Sequence, residues 1–113
     1  MQDALFDLPE APPEHAVIAR FQLGGGLGDS DQWSRVFEAE RSMGAAVVAA
    51  GVGEADGNEF GGGQAVIFAY GPDAGALYLV MEPGLRALPF RPAHVVLRYG
   101  EPADDVVSER VEL

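Results

Sequence analysis

Residues 52–70 read VGEADGNEFGGGQAVIFAY, and the way this stretch folds decides the fold of the chain. It divides into a polar arm, three glycines and the most apolar short run in the sequence. Gly61, Gly62 and Gly63 tolerate positive φ, so the chain reverses there. After the turn, Ala65, Ile67 and Ala69 alternate with Val66, Phe68 and Tyr70, and both sets are apolar. A strand apolar on both faces belongs inside a sheet. Before the turn, Glu54, Asp56 and Asn58 alternate with Gly53, Ala55 and Gly57. That composition suits a charged edge strand that resists further pairing. The stretch therefore predicts a hairpin with its polar arm at the edge and its apolar arm inside.

Outward from the hairpin, the periodicity changes to that of helices. Upstream, Trp33, Val36, Ala39, Met43, Ala46, Val47 and Ala50 recur three or four residues apart, which predicts a long amphipathic helix. Asp29 is placed to cap its start, with Gln32 three residues on, and Gly51 to cap its end. Gly44 within it costs about 1 kcal/mol relative to alanine and points to close packing or a local break. Downstream, Asp73 caps a second helix whose buried stripe is Leu77, Val80, Met81, Leu85 and Leu88. Pro83 falls inside that helix, so a kink or two shorter helices are expected. Strands are expected at residues 16–23, 94–99 and 106–113, the last with Val107, Val111 and Leu113 on one face.

The order is β-α-β-β-α-β-β. Two right-handed crossovers over one antiparallel sheet predict an α+β, ferredoxin-like β-α-β-β-α-β two-layer sandwich with an extra C-terminal strand. Residues 15–113 form this single domain, and residues 1–14 form an acidic tail containing Pro9, Pro12 and Pro13. At 113 residues the chain can bury roughly two thirds of its unfolded surface without staples. Cysteine is absent, which removes disulfides and thiolate ligands and fits a reducing, cytoplasmic setting. The N-terminal residues show neither a basic leader nor a long apolar run, so no membrane association is expected.

Eighteen acidic residues face seven arginines, with no lysine, for a formal net charge of -11. Nucleic acid needs clustered cations and is not an expected partner. The acidity keeps a small domain soluble and leaves room for a basic protein partner. The glycines at 24, 25, 26 and 28 follow a strand but miss the G-x-G-x-x-G spacing of a dinucleotide site.

The segments GVGEADGNEFGGG, YGPDAGAL, MEPGLRALP and LRYGEP, within residues 36–113, resemble small acidic bacterial proteins of ferredoxin-like fold that have no assigned activity. The resemblance implies the fold and carries over no functional residue. At the level of architecture the chain is also similar to ACT-type regulatory domains and to dimeric α+β barrel proteins, and fold does not set function.

Two groups of residues are candidates for function. Glu54, Asp56, Asn58 and Glu59 form an acidic cluster whose alternating oxygens suit a hard cation. The calcium-loop pattern fails, since Glu59 stands where its glycine belongs and Ala65 where its last acid belongs. A solvated edge strand accounts for the cluster, and neither a metal nor a cofactor is expected. The second group is an open sheet face. Two helices cover one side of a sheet, and the small residues Ala65, Ile67 and Ala69 suit that contact. Val66, Phe68 and Tyr70 are then left outside, beside Ile18, Arg20, Val96 and Arg98.

The sequence points to binding rather than chemistry, with the open face as a homodimer contact. One alternative is an acidic inhibitor or immunity-type protein that meets a basic partner through Glu54, Asp56, Asp104 and Asp105. Another is a small enzyme with its site between sheet and helices, using His94 or Arg98. His15 and His94 are the only imidazoles, and nothing at local spacing supplies a nucleophile or an orienting acid. A tail folded onto the open face through Leu5, Phe6 and Leu8 is the alternative to a second copy.

Overall fold

The computed structural model describes residues 14–23 and 30–113. The rest of the expected tail, the glycine loop after the first strand and the Asp29 cap lie outside the described residues. Seven elements follow in order: β1 (His15–Gln22), α1 (Ser30–Ala50), β2 (Glu54–Gly61), β3 (Gln64–Gly71), α2 (Ala74–Ala87), β4 (Ala93–Arg98) and β5 (Ser108–Glu112). The strands form one antiparallel sheet in the order β2-β3-β1-β4-β5. The fold is thus α+β, with β3 and β1 interior and the polar β2 at one edge.

The hairpin closes through Gly62 and Gly63, with φ of 59° and 77°. Two successive positive φ values match the right-handed twist of the flanking strands, and only small residues adopt them without strain. The register pairs Gly61 with Gln64, Phe60 with Ala65 and Asn58 with Ile67. It slips between Ala55 and Gly57, so Asp56 forms a bulge. At the far end Gly71 approaches the other arm so closely that an added Cβ would lie 2.2 Å from the Val52 carbonyl oxygen.

Both helices pack on one face of the sheet. Val17, Ala19 and Phe21 of β1, Ala65, Ile67 and Ala69 of β3, and Ala93, Val95 and Leu97 of β4 meet Val36, Met43 and Val47 of α1 and Leu77, Met81 and Leu85 of α2. α2 lies over β1, β3 and β4, while α1 lies over β2 and against α2. Asp73 caps α2 by accepting from the N–H groups of Gly75 and Ala76, at 2.9 and 3.2 Å. α1 ends with the Gly51 N–H donating to the Val48 carbonyl and the Val52 N–H to the Val47 carbonyl, the paired bonds of a Schellman cap.

Several local expectations are corrected. α1 buries only Val36, Met43 and Val47, whereas Ala46 and Ala50 are exposed and Trp33 retains 40% of its surface. The cause is position, since a helix over an edge strand overhangs the sheet. Its outer aromatics Trp33 and Phe37 instead pack on Phe60 of β2, with ring centroids 5.6 and 5.4 Å apart. α1 runs unbroken through Gly44, where an added Cβ would make only ordinary contact with Ala55 at 3.5 Å. α2 is a single helix despite Pro83. Pro83 and Leu79 both face solvent, so the backbone carbonyl that Pro83 leaves without a donor lies on the wet side. β5 is shorter than expected, and Val107, at 69% exposed, precedes it rather than joining the buried face with Val111. The first and fourth strands each begin one residue earlier than expected.

Candidate functional site

The sheet face away from the helices is ordered by the strand register. Each row of cross-strand neighbours brings one residue from each of the five strands onto this face. One row reads Glu59, Val66, Arg20, His94, Glu112 from β2 to β5. The next reads Gly57, Phe68, Ile18, Val96, Arg110, and the third Glu54, Tyr70, Ala16, Arg98, Ser108. The register therefore brings together the seven residues expected there: Ile18, Arg20, Val66, Phe68, Tyr70, Val96 and Arg98.

The middle of the face is apolar. Phe68, Ile18 and Val96 are consecutive in their row and half-buried, and Val66 beside them is only 7% exposed. Ala16 lies between the larger Tyr70 and Arg98 and is fully buried. The two margins differ in charge. Glu54 and Glu59 make the β2 side acidic, and the β4 and β5 side is mixed, with Arg98, Arg110 and Glu112. Arg98 is partly committed, since its Nε donates to the Gly100 carbonyl at 2.7 Å.

The acidic cluster is not one site. Glu54 and Glu59 project onto the open face, Asp56 occupies the bulge, and Asn58 faces α1, where its Nδ2 donates to Glu40 Oε1. Among the described residues no group of three His, Asp or Glu side chains is placed to hold a metal. The β2 carboxylates and Asp104 and Asp105 of the β4–β5 loop belong to opposite margins of a sheet roughly 19 Å across, at the usual strand spacing. They present no single acidic patch.

The two histidines have different settings. His15 Nδ1 accepts the Ala74 N–H at 3.0 Å, and the ring meets Tyr99 edge-on with centroids 5.7 Å apart. It ties β1 to the start of α2, where helical N–H groups need acceptors. His94 is half-buried on the open face, and burial, followed by the nearby Arg110 and Arg20 charges, lowers its pKa; Glu112 acts in the opposite sense. His94 and Arg98 both lie on the side of the sheet away from the helices. Between sheet and helices stand fully buried apolar side chains, including Ile67, Leu77, Met81 and Leu85.

Beside His94 the open face deepens into a cleft of about 210 Å³ lined by Arg20, Gln22, Gln64, His94, Arg110 and Glu112, with Pro92 and the Phe21 backbone at its border. Arg110 and Glu112 escaped the sequence reading because their importance depends on pairing with β4. The available signal was alternation with the inward Val111, which sends both outward. A second groove, about 330 Å³, runs between the helices past Arg35, Glu38, Ser42 and Gly84. On the outer surface of α2, Glu82 binds Arg86 at 2.8 Å and accepts from the Tyr78 hydroxyl at 3.1 Å. Burial and the neighbouring Glu82 raise the Tyr78 pKa, and hydrogen bonds from Arg86 and Tyr78 lower that of Glu82. An exposed i,i+4 pair of this kind contributes little to stability.

Among the described residues no helix is long and apolar enough to cross a membrane. No protein-family model matches the chain, and neither the curated proteins nor the solved structures hold a match to it.

Proposed function

We propose that the protein is a non-catalytic binding module that pairs with a second copy of itself through the open sheet face. The observation that carries this reading is the row Phe68, Ile18, Val96, apolar across three strands and bounded by Gly57 on β2 and Arg110 on β5. A two-fold axis parallel to the strands lays the β2 margin of one copy over the β4–β5 margin of the other. Glu54 then approaches Arg98 of the second copy in the same row, while the apolar rows meet at the centre. Phe68 and Tyr70 serve as aromatic anchors. Strand order β2-β3-β1-β4 supports the finer description as a ferredoxin-like sandwich with β5 added beside β4.

Light scattering on the full chain tests the proposal. The wild type is expected at twice its chain mass, and Phe68→Glu and Tyr70→Glu at the mass of one chain with an unchanged circular dichroism spectrum. A wild type that stays monomeric at every concentration overturns the reading. Deletion of residues 1–14 separates a dimer from a tail-covered monomer, since only the latter loses stability without a change in assembly.

A further inference from the structure

The cleft beside His94 has a chemistry that pairing of two copies does not explain. The chain carries seven arginines and two histidines against eighteen acids. Random mixing in so acidic a protein would place carboxylates around every cation. Yet Arg20, Arg110 and His94 line one cleft, and they arrive there from three adjacent strands. Arg20 makes no ion pair or hydrogen bond with any described residue. The one carboxylate in the lining, Glu112, is engaged by Arg110 Nε at 2.5 Å, which leaves the terminal nitrogens of Arg110 available as donors. Gln22 Nε2 donates to the Gly63 carbonyl at 3.1 Å, so its carboxamide is fixed at the cleft rim.

We propose that this cleft binds a small oxyanion, a carboxylate or phosphate group, between the Arg20 and Arg110 guanidinium groups with His94 alongside. Guanidinium forks match the paired oxygens of such groups. The volume of about 210 Å³ equals that of about seven waters, at ~30 Å³ each, so the ligand is a small metabolite or inorganic ion. Pro92 gives the cleft an apolar margin against which a short carbon skeleton can lie, and this favours a carboxylate over bare phosphate.

His94 provides the readout. The charged groups facing it are Arg20 from β1 and Arg110 and Glu112 from β5. An anion seated between the arginines offsets their repulsion of the imidazolium, so bound His94 titrates at higher pH than free His94. His15, on the other side of the sheet, is the internal control. Imidazole NMR signals are followed while malonate and, separately, inorganic phosphate are added to the full chain at constant ionic strength. The expected result is a saturable change at His94 with His15 unmoved, tighter for malonate. Arg20→Gln should weaken binding about tenfold or more, and Arg20→Lys less. Phosphate binding with equal or greater affinity assigns the site to inorganic phosphate or its esters and keeps the oxyanion proposal. No saturation at His94, equal drift of both histidines, or an Arg20→Gln variant that binds as well as wild type overturns it. The same titration on the Phe68→Glu variant keeps the outcome independent of dimer formation.

Discussion

The two faces of β3 carry the same amount of apolar character and have different fates. Ala65, Ile67 and Ala69 are fully buried beneath the helices, whereas Val66, Phe68 and Tyr70 share their face with Glu59, Arg20, Arg98 and Glu54. The difference lies in what the neighbouring strands bring to each side. On the helix face the three central strands are apolar in every row, as in Ala19, Ile67 and Val95. On the other, charged and titratable residues enter the central strands themselves, with Arg20 on β1 and His94 and Arg98 on β4. A helix needs a broad unbroken surface to seat on, while a pairing surface needs an apolar centre with a polar margin. The small residues on the covered face also let α2 approach the sheet closely, and the aromatic side chains face outward.

The largest test of this contrast is Ile67→Asp. An unpaired carboxylate under the helices is expected to cost about 4 kcal/mol or more, a large share of the roughly 5–15 kcal/mol that holds a domain together. Loss of the cooperative melt is the expected result, and a wild-type melting temperature would show that the face is not core. Next comes Gly71→Ala at the end of the same strand. Its Cβ would meet the Val52 carbonyl oxygen at 2.2 Å, a backbone atom that cannot rotate away. Overpacking of this kind costs about 1–3 kcal/mol, measurable as a lower denaturant midpoint with an unchanged slope.

Phe68→Glu sits one residue beyond Ile67 and should behave differently. Its unfolding free energy in the monomer should fall by under about 1 kcal/mol, because a half-exposed carboxylate keeps its water. The charge lies on the pairing surface, so assembly is lost while the fold persists. Unfolding of Phe68→Glu as complete as that of Ile67→Asp would erase the distinction between the faces. The smallest effect is on pH dependence. Burial and the Arg110 and Arg20 charges hold the folded-state His94 pKa below its unfolded value of about 6.5. Between those two values the unfolded chain binds more protons. The contribution of His94 is therefore complete above about pH 6.5 and is lost as pH falls toward the folded pKa. Denaturant melts at pH 7.5 and 5.5 should differ less in His94→Gln than in wild type; an identical difference in the two proteins would exclude His94 as the source.

Much of the fold was legible because its signals are local. The Gly62–Gly63 turn, the Asp73 cap and the Gly51 stop each depend on residues within one turn of chain, and each is found where its chemistry belongs. The open-face set was legible because alternation places Phe68 and Tyr70 together wherever the strand lies. The bulge at Asp56 was not, and it divides the carboxylates that the sequence presents as one cluster. Nor was the shallow seating of α1, since a helical stripe records which residues can be buried and not how much sheet lies beneath them. Pro83 misled in the opposite direction, because the missing donor faces water.

By itself the sequence determined the elements, their two apolar faces and the polar edge, because periodicity and capping act over a few residues. Only the tertiary structure decided which face the helices cover and which side chains meet in the cleft. Arg20, His94 and Arg110 lie far apart along the chain and become neighbours through the pairing of β1 with β4 and of β4 with β5. The local turn fixes the register of the β2–β3 hairpin, whereas that of β1 against β4 joins segments far apart in the chain.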